Sequence, residues 1–132
     1  ILGGGFIGRF YAESLCGRRG KDIVTVVYAR KKETAIRFAT DYQVAHFTTE
    51  MEEAIAHAET EFVVIALPNY LHEEAVMLCM KHKKAVLCTK PLGRTAAEAL
   101  RMTLACEEAG VFAGYLEGVR LIDNLVFEVV NS

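Results

Sequence analysis

A doubly wound α/β fold, one parallel sheet with helices on both faces, is what this 132-residue sequence predicts. Three observations lead there. Helical and strand-like periods alternate along the chain, joined by connections of a few residues. The clearest strand-like runs are continuously apolar, as in strands buried on both faces. A glycine-rich turn, Gly3 to Gly8, stands where the first helical period begins.

The elements follow in order. Ile1 and Leu2 stand for the first strand. Phe6 to Arg18 is a helix with Ile7, Phe10, Tyr11 and Leu15 on one face, stopped near Gly20. Ile23 to Tyr28 is a β-branched strand buried on both faces. Glu33 to Tyr42 returns to helix, with Ile36, Phe38 and Ala39 inward, and a short strand covers Ala45 to Phe47. Thr49 and Glu52 form a capping box that opens a helix from Met51 to Ala58. Phe62 to Leu67 is a strand stopped by Pro68 and Asn69. Leu71 to Lys83 is a helix with Ala75, Leu78 and Cys79 inward. Ala85 to Cys88 is a strand. Thr95 and Glu98 make a second capping box, its helix ends before Gly110, and Val111 to Leu116 is the last strand. In the tail, Ile122, Leu125, Val126, Val129 and Val130 form a helical stripe that outweighs the β-propensity of the same residues. The expected strand order is 3-2-1-4-5-6.

One core's worth of chain is present, 52% hydrophobic and 24% charged, which excludes disorder, collagen-like repeats and a disulfide-held scaffold. A net charge of −2 gives no general attraction to nucleic acid, and no apolar run is long enough to span a membrane. Cys16, Cys79, Cys88 and Cys106 form no CxxC pair and lie in apolar-periodic segments, so they read as buried reduced thiols of a cytoplasmic protein. Cys79 with His82 falls short of the four clustered ligands of structural zinc, and no metal site is expected. The opening Ile1-Leu2-Gly3 has neither a basic stretch nor a long apolar run, so no signal peptide is expected. Two residues before the first glycine are fewer than the usual five or so of a strand, and the last helix has no stop signal. A fragment, truncated at both ends, is the expectation.

The chemistry gathers at strand ends. Gly3-Gly4-Gly5-Phe6-Ile7-Gly8 fits G-x-G-x-x-G. Its first glycine makes the tight turn, its second lets a pyrophosphate approach the backbone, and its third lets helix and strand pack closely. The helix N-terminus then meets the phosphates. A glycine-rich loop that only packs is the alternative. About twenty residues on, where NAD-binding domains offer an acid to the ribose, stand Tyr28-Ala29-Arg30-Lys31-Lys32. These cations sit at a helix N-terminus, where the dipole disfavours them, so an anion such as the 2′-phosphate of NADP fits there. A solvated basic turn is the other reading. Leu67-Pro68-Asn69 and Thr89-Lys90-Pro91 end the fourth and fifth strands, where doubly wound sheets bind ligands. Asn69 and His72 either bond the cofactor or cap the next helix. Lys90 points into the crevice. Glu117 and Arg120 are either a solvated loop pair or part of the same edge.

Together these residues resemble the Gfo/Idh/MocA oxidoreductase family, in its N-terminal Rossmann-type NAD(P)-binding domain, over essentially the whole chain. Pro68-Asn69-Tyr70-Leu71-His72 reproduces the family's PN–x–x–H stretch, and Lys90-Pro91-Leu92 its EKP stretch with Thr89 in place of the glutamate. The resemblance implies hydride transfer between a nicotinamide cofactor and a sugar, inositol or related polyol. It implies a catalytic Lys90 and a cofactor site of Gly3, Gly5, Phe6, Ile7, Gly8, Arg30, Leu67, Pro68, Asn69, His72 and Lys90. It implies a dinucleotide-binding domain over residues 1–120 and a linking helix over 121–132, leading to a second, substrate domain outside this chain. NADP is favoured over NAD by the basic turn. The full-length protein is expected to be a homo-oligomeric enzyme and the fragment alone inactive. A non-catalytic dinucleotide sensor or scaffold, and a methyltransferase using S-adenosylmethionine on a similar sheet, are the alternatives. Lys90 counts against the first, and the missing ribose acid against the second.

Overall fold

The structure is a computed structural model that describes residues 1–19 and 22–115. Five strands are named in chain order: β1 Val26–Tyr28, β2 His46–Thr48, β3 Phe62–Ile65, β4 Ala85–Cys88 and β5 Ala113–Tyr115. All pair in parallel. Leu2 lies between β1 and β3. Its N–H donates to Val64 O at 2.8 Å, its carbonyl accepts from Ala66 N at 2.8 Å, and Gly3 N donates to Tyr28 O at 2.9 Å. The order is therefore β2-β1-Leu2-β3-β4-β5, the 3-2-1-4-5-6 order expected when Leu2 is counted as the first strand.

Among the described residues five α-helices connect the strands: α1 Phe6–Glu13, α2 Lys32–Asp41, α3 Met51–Ala56, α4 His72–Lys81 and α5 Ala96–Ala109. Side chains alternate across β1. Val26 and Tyr28 pack with α3, α4 and α5 residues such as Ile55, Val76, Cys79 and Met102. Val27 packs on the other face with Ala12 of α1 and Phe38 of α2. Two apolar layers thus enclose the sheet, as its continuous apolar runs require. Among the described residues no helix is long and apolar enough to cross a membrane.

Several local expectations are corrected. On α1 the buried residues are Gly8 and Ala12, while Ile7 and Phe10 are 44% and 52% exposed. The small residues decide which face approaches the sheet, because a larger one there would collide with backbone. Beyond Glu13 the chain winds as a π-helix, Ser14–Arg19, which carries Cys16 to the surface. Cys79, Cys88 and Cys106 are buried and free, and burial pushes the Cys79 and Cys88 thiols up to about 12. Ile23 is 83% exposed because it lies ahead of the strand pairing, which begins where Thr25 O accepts from His46 N. Ile36 is 41% exposed because the buried stripe of α2 runs through Ala35, Phe38 and Ala39. The cap of α3 is shifted: Thr48 Oγ1 accepts from Glu50 N at 3.0 Å and donates to Glu53 Oε2 at 2.6 Å. That helix ends at Ala56, not Ala58. Cys79 faces the core while His82 reaches Glu52 at 2.8 Å, so they share no site. The tail helix, Glu117 and Arg120 lie outside the described residues.

Candidate functional site

The glycine turn is built around two close backbone approaches. Gly3 has φ +110°, and a Cβ there would collide with Ala66 O. A Cβ at Gly8 would collide with Gly3 O. Only glycine satisfies both. Gly5 is different: a Cβ there would meet nothing within 4 Å. It is the exposed N-cap of α1, and no side chain caps the helix. The first N–H groups of α1 and the positive end of its dipole are thus left for an anion.

This turn opens on a cavity of about 250 Å³ at the carboxyl edge of the sheet, lined by Gly3, Gly5, Tyr28, Arg30, Leu67 and Pro68 among others. Arg30 is exposed, and Lys31 is the N-cap of α2, with no side-chain cap of its own. The cradle has the features a dinucleotide needs: bare glycine at a helix end, where a pyrophosphate could approach, with cations beside it beyond β1. A larger cavity of about 700 Å³ opens at the opposite edge, beside Ile23, Glu59, Glu61 and Phe62. Its aliphatic and acidic lining repels a pyrophosphate.

Of the remaining predicted residues, Gly8 packs beneath the turn, while Phe6 (82% exposed) and Ile7 face solvent beside it. Asn69 is half-buried and opens a 3-10 turn, Asn69–Leu71; it does not cap α4. Lys90 is exposed just past β4 and precedes a cis peptide to Pro91.

His72 departs from expectation. It is fully buried, with Nε2 2.8 Å from Leu67 O and Nδ1 3.0 Å from Leu92 O. Each ring nitrogen faces a backbone carbonyl oxygen, and neither is turned toward a ligand. The ring ties the loop after β3 to the loop after β4. A second tie holds the Lys90 loop from α5. Glu98 is nearly buried, and its carboxylate accepts from the Arg94 guanidinium at 2.6 and 2.9 Å and from Arg94 N at 2.8 Å. The Arg94 side chain, then its backbone N–H, holds the Glu98 carboxyl below the usual carboxylate range. Thr95 Oγ1 accepts from Glu98 N at 3.1 Å, so half of the predicted capping box forms while the glutamate turns to Arg94. Sequence spacing found Thr95 and Glu98 but not the role of Arg94.

Residues 1–115 match the family model described as the oxidoreductase family with an NAD-binding Rossmann fold, GFO_IDH_MocA. The chain belongs to the Gfo/Idh/MocA family. It is 39% identical to scyllo-inositol 2-dehydrogenase (NADP(+)) IolU of Bacillus subtilis (strain 168) over 88 residues, 67% of this chain and 27% of that protein. It is 36% identical to the uncharacterized oxidoreductase YgjR of Escherichia coli (strain K12) over 106 residues, 80% of this chain and 32% of that one. A probable dehydrogenase from Thermotoga maritima superposes with a TM-score of 0.80 at 25% identity, over 86% of this chain and 34% of the other. The chain spans about a third of the length of the curated relatives it matches. Within this family the chain is an NAD-binding oxidoreductase domain.

Proposed function

We propose that this chain is the dinucleotide-binding part of an enzyme that moves hydride between NADP, in preference to NAD, and a secondary alcohol of a sugar, inositol or related polyol. The observation that carries the reading is the gathering of the glycine turn, the Arg30 turn, the Leu67–Asn69 loop and the Lys90 loop on one edge of one sheet. IolU, named for an inositol and for NADP(+), supports the substrate class and the cofactor.

The nicotinamide ring, when bound, supplies the hydride carrier. The chain's own residues do the rest. Gly5 and the α1 N-terminus receive the pyrophosphate, and Arg30 meets the 2′-phosphate with paired N–H groups. Lys90, held at the end of β4, donates to the substrate oxygen or relays its proton as the alcohol is oxidised or the ketone reduced. Substrate contacts come also from a second domain, reached through the helix expected over residues 121–132.

Cofactor absorbance in the full-length enzyme tests this. With a polyol substrate, Lys90→Ala lowers kcat by about a hundredfold or more, the scale of a positioned acid–base group. An unchanged kcat removes Lys90 from the chemistry. Cofactor binding without turnover of any polyol favours the sensor reading instead.

A further inference from the structure

Away from the cofactor edge, at the amino ends of the strands, two imidazoles and a carboxylate converge. His46 opens β2, His57 follows the end of α3, and Glu59 lies two residues further on. One ligand-capable atom from each lies within 4.8 Å of the other two. The two rings have centroids 4.6 Å apart, and His46 Nε2 lies 3.5 Å from Glu59 Oε2. We propose that His46, His57 and Glu59 form a binding site for a first-row divalent transition-metal cation, for which Zn(II) is the probe.

The donor set selects the class of ion. Imidazole with carboxylate suits zinc, copper and nickel, whereas magnesium and calcium take oxygen ligands. Ligand atoms around tetrahedral zinc lie about 3.4 Å apart, given metal–ligand bonds near 2 Å. Side-chain movements on the order of 1 Å bring the three groups to that spacing. Three protein ligands leave a fourth position for water, and room for it exists. A cavity of about 260 Å³ borders His46 and His57 and is lined also by Thr48 and Glu53.

The frame behind the ligands is fixed. His46 N donates to Thr25 O at 3.1 Å, which holds the start of β2. The turn carrying His57 and Glu59 is closed by Thr60 N to His57 O at 2.9 Å and by the buried Thr60 hydroxyl to Ala54 O at 2.9 Å. Lys84 Nζ adds bonds to Thr60 O at 2.5 Å and to His57 O at 3.3 Å. Glu59 N donates to His57 Nδ1 at 3.2 Å, a long bond at an exposed position. A cation at that nitrogen displaces it, and the freed N–H turns to water. Ligation uses the unprotonated nitrogen of each neutral ring, which keeps its other N–H.

The test is competition for Zn(II) between the tag-free protein and a chromophoric chelator, with melting curves on each variant to verify folding. One equivalent binds. His46→Ala and His57→Ala each weaken binding by about tenfold or more, and Glu59→Gln weakens it less, as loss of one ligand from a three-ligand site requires. Cys16→Ser, which removes the exposed thiol, leaves the affinity unchanged, and Mg(II) does not compete. Should His46→Ala fail to fold, His46→Gln and Glu59→Gln carry the same comparison. Zn(II) affinity that survives the histidine substitutions, that vanishes with Cys16→Ser, or that is weaker than about 100 µM in the unmodified protein overturns the proposal.

Discussion

The two ends of the candidate site are built by opposite means. At the glycine turn, side chains are absent wherever the backbone crosses itself, and the free N–H groups of α1 are left open. At the Lys90 loop, buried polar side chains are added: His72 reaches across from α4, and Glu98 with Arg94 ties the loop to α5. A pyrophosphate is held by backbone, which needs room to approach. The lysine proposed to react must be placed, and placement needs bracing from outside its own loop. Each end therefore breaks differently.

The largest effect is expected at the crossing itself. Gly8→Ala forces a Cβ into Gly3 O and costs about 3 kcal/mol of stability, the upper range for overpacking, read as a fall in the urea midpoint. Gly5→Ala sharpens the contrast. Its Cβ meets nothing, so stability moves by no more than about 0.5 kcal/mol. Dinucleotide binding weakens about tenfold nonetheless, as expected if one backbone contact to the pyrophosphate is lost. Equal destabilisation by the two changes breaks the distinction between a glycine needed for folding and one needed for binding.

The braced end comes next. His72→Ala leaves the Leu67 and Leu92 carbonyls without their partner and costs about 2 kcal/mol. In the full-length enzyme it lowers kcat more than it raises the KM for cofactor, because the ring positions Lys90 rather than touching the dinucleotide. A pure loss of cofactor affinity returns His72 to the binding site.

How much of this was legible follows the same division. The glycine spacing, Pro68-Asn69 and Lys90-Pro91 mark backbone events, and such events leave fixed residue types at fixed intervals. The sheet order followed from the alternation together with the glycine fingerprint. The bracing was less visible. Arg94 meeting Glu98 is an i,i+4 pair beside a capping box, and sequence cannot say which donor the carboxylate takes. The inward face of α1 was misread because Phe10 and Ile7 carry the larger apolar surface, whereas Gly8 and Ala12 fit the space. His46 and Glu59 meet only through tertiary folding, so no spacing announced them.

A smaller effect concerns acid. Glu98 is held below its ordinary value of 4.5, mainly by the Arg94 side chain. A carboxyl with a depressed folded value stabilises the fold above the unfolded value and loses that contribution as pH falls through the folded one. Glu98→Gln should therefore reduce stability above about pH 4.5 and flatten the loss below it. Glu73 and Glu52 shift in the same direction, through Arg101 and through Lys81 with His82, so the difference between Glu98→Gln and the unmodified protein isolates this one tie. Parallel acid limbs for the two proteins, followed by thermal unfolding from pH 3 to 7, contradict the bracing role.

The central claim, that the glycine-lined edge holds a dinucleotide whose extra phosphate meets the basic turn after β1, is tested most directly by titrating NADP and NAD against the protein and Arg30→Ala at one ionic strength. The account predicts tighter binding of NADP by the unmodified protein. It also predicts a loss for NADP in Arg30→Ala of about tenfold, the lower end for a charge-assisted contact exposed to salt, with NAD binding nearly unchanged. Equal losses for both cofactors, tighter NAD binding by the unmodified protein, or no binding of either would contradict it.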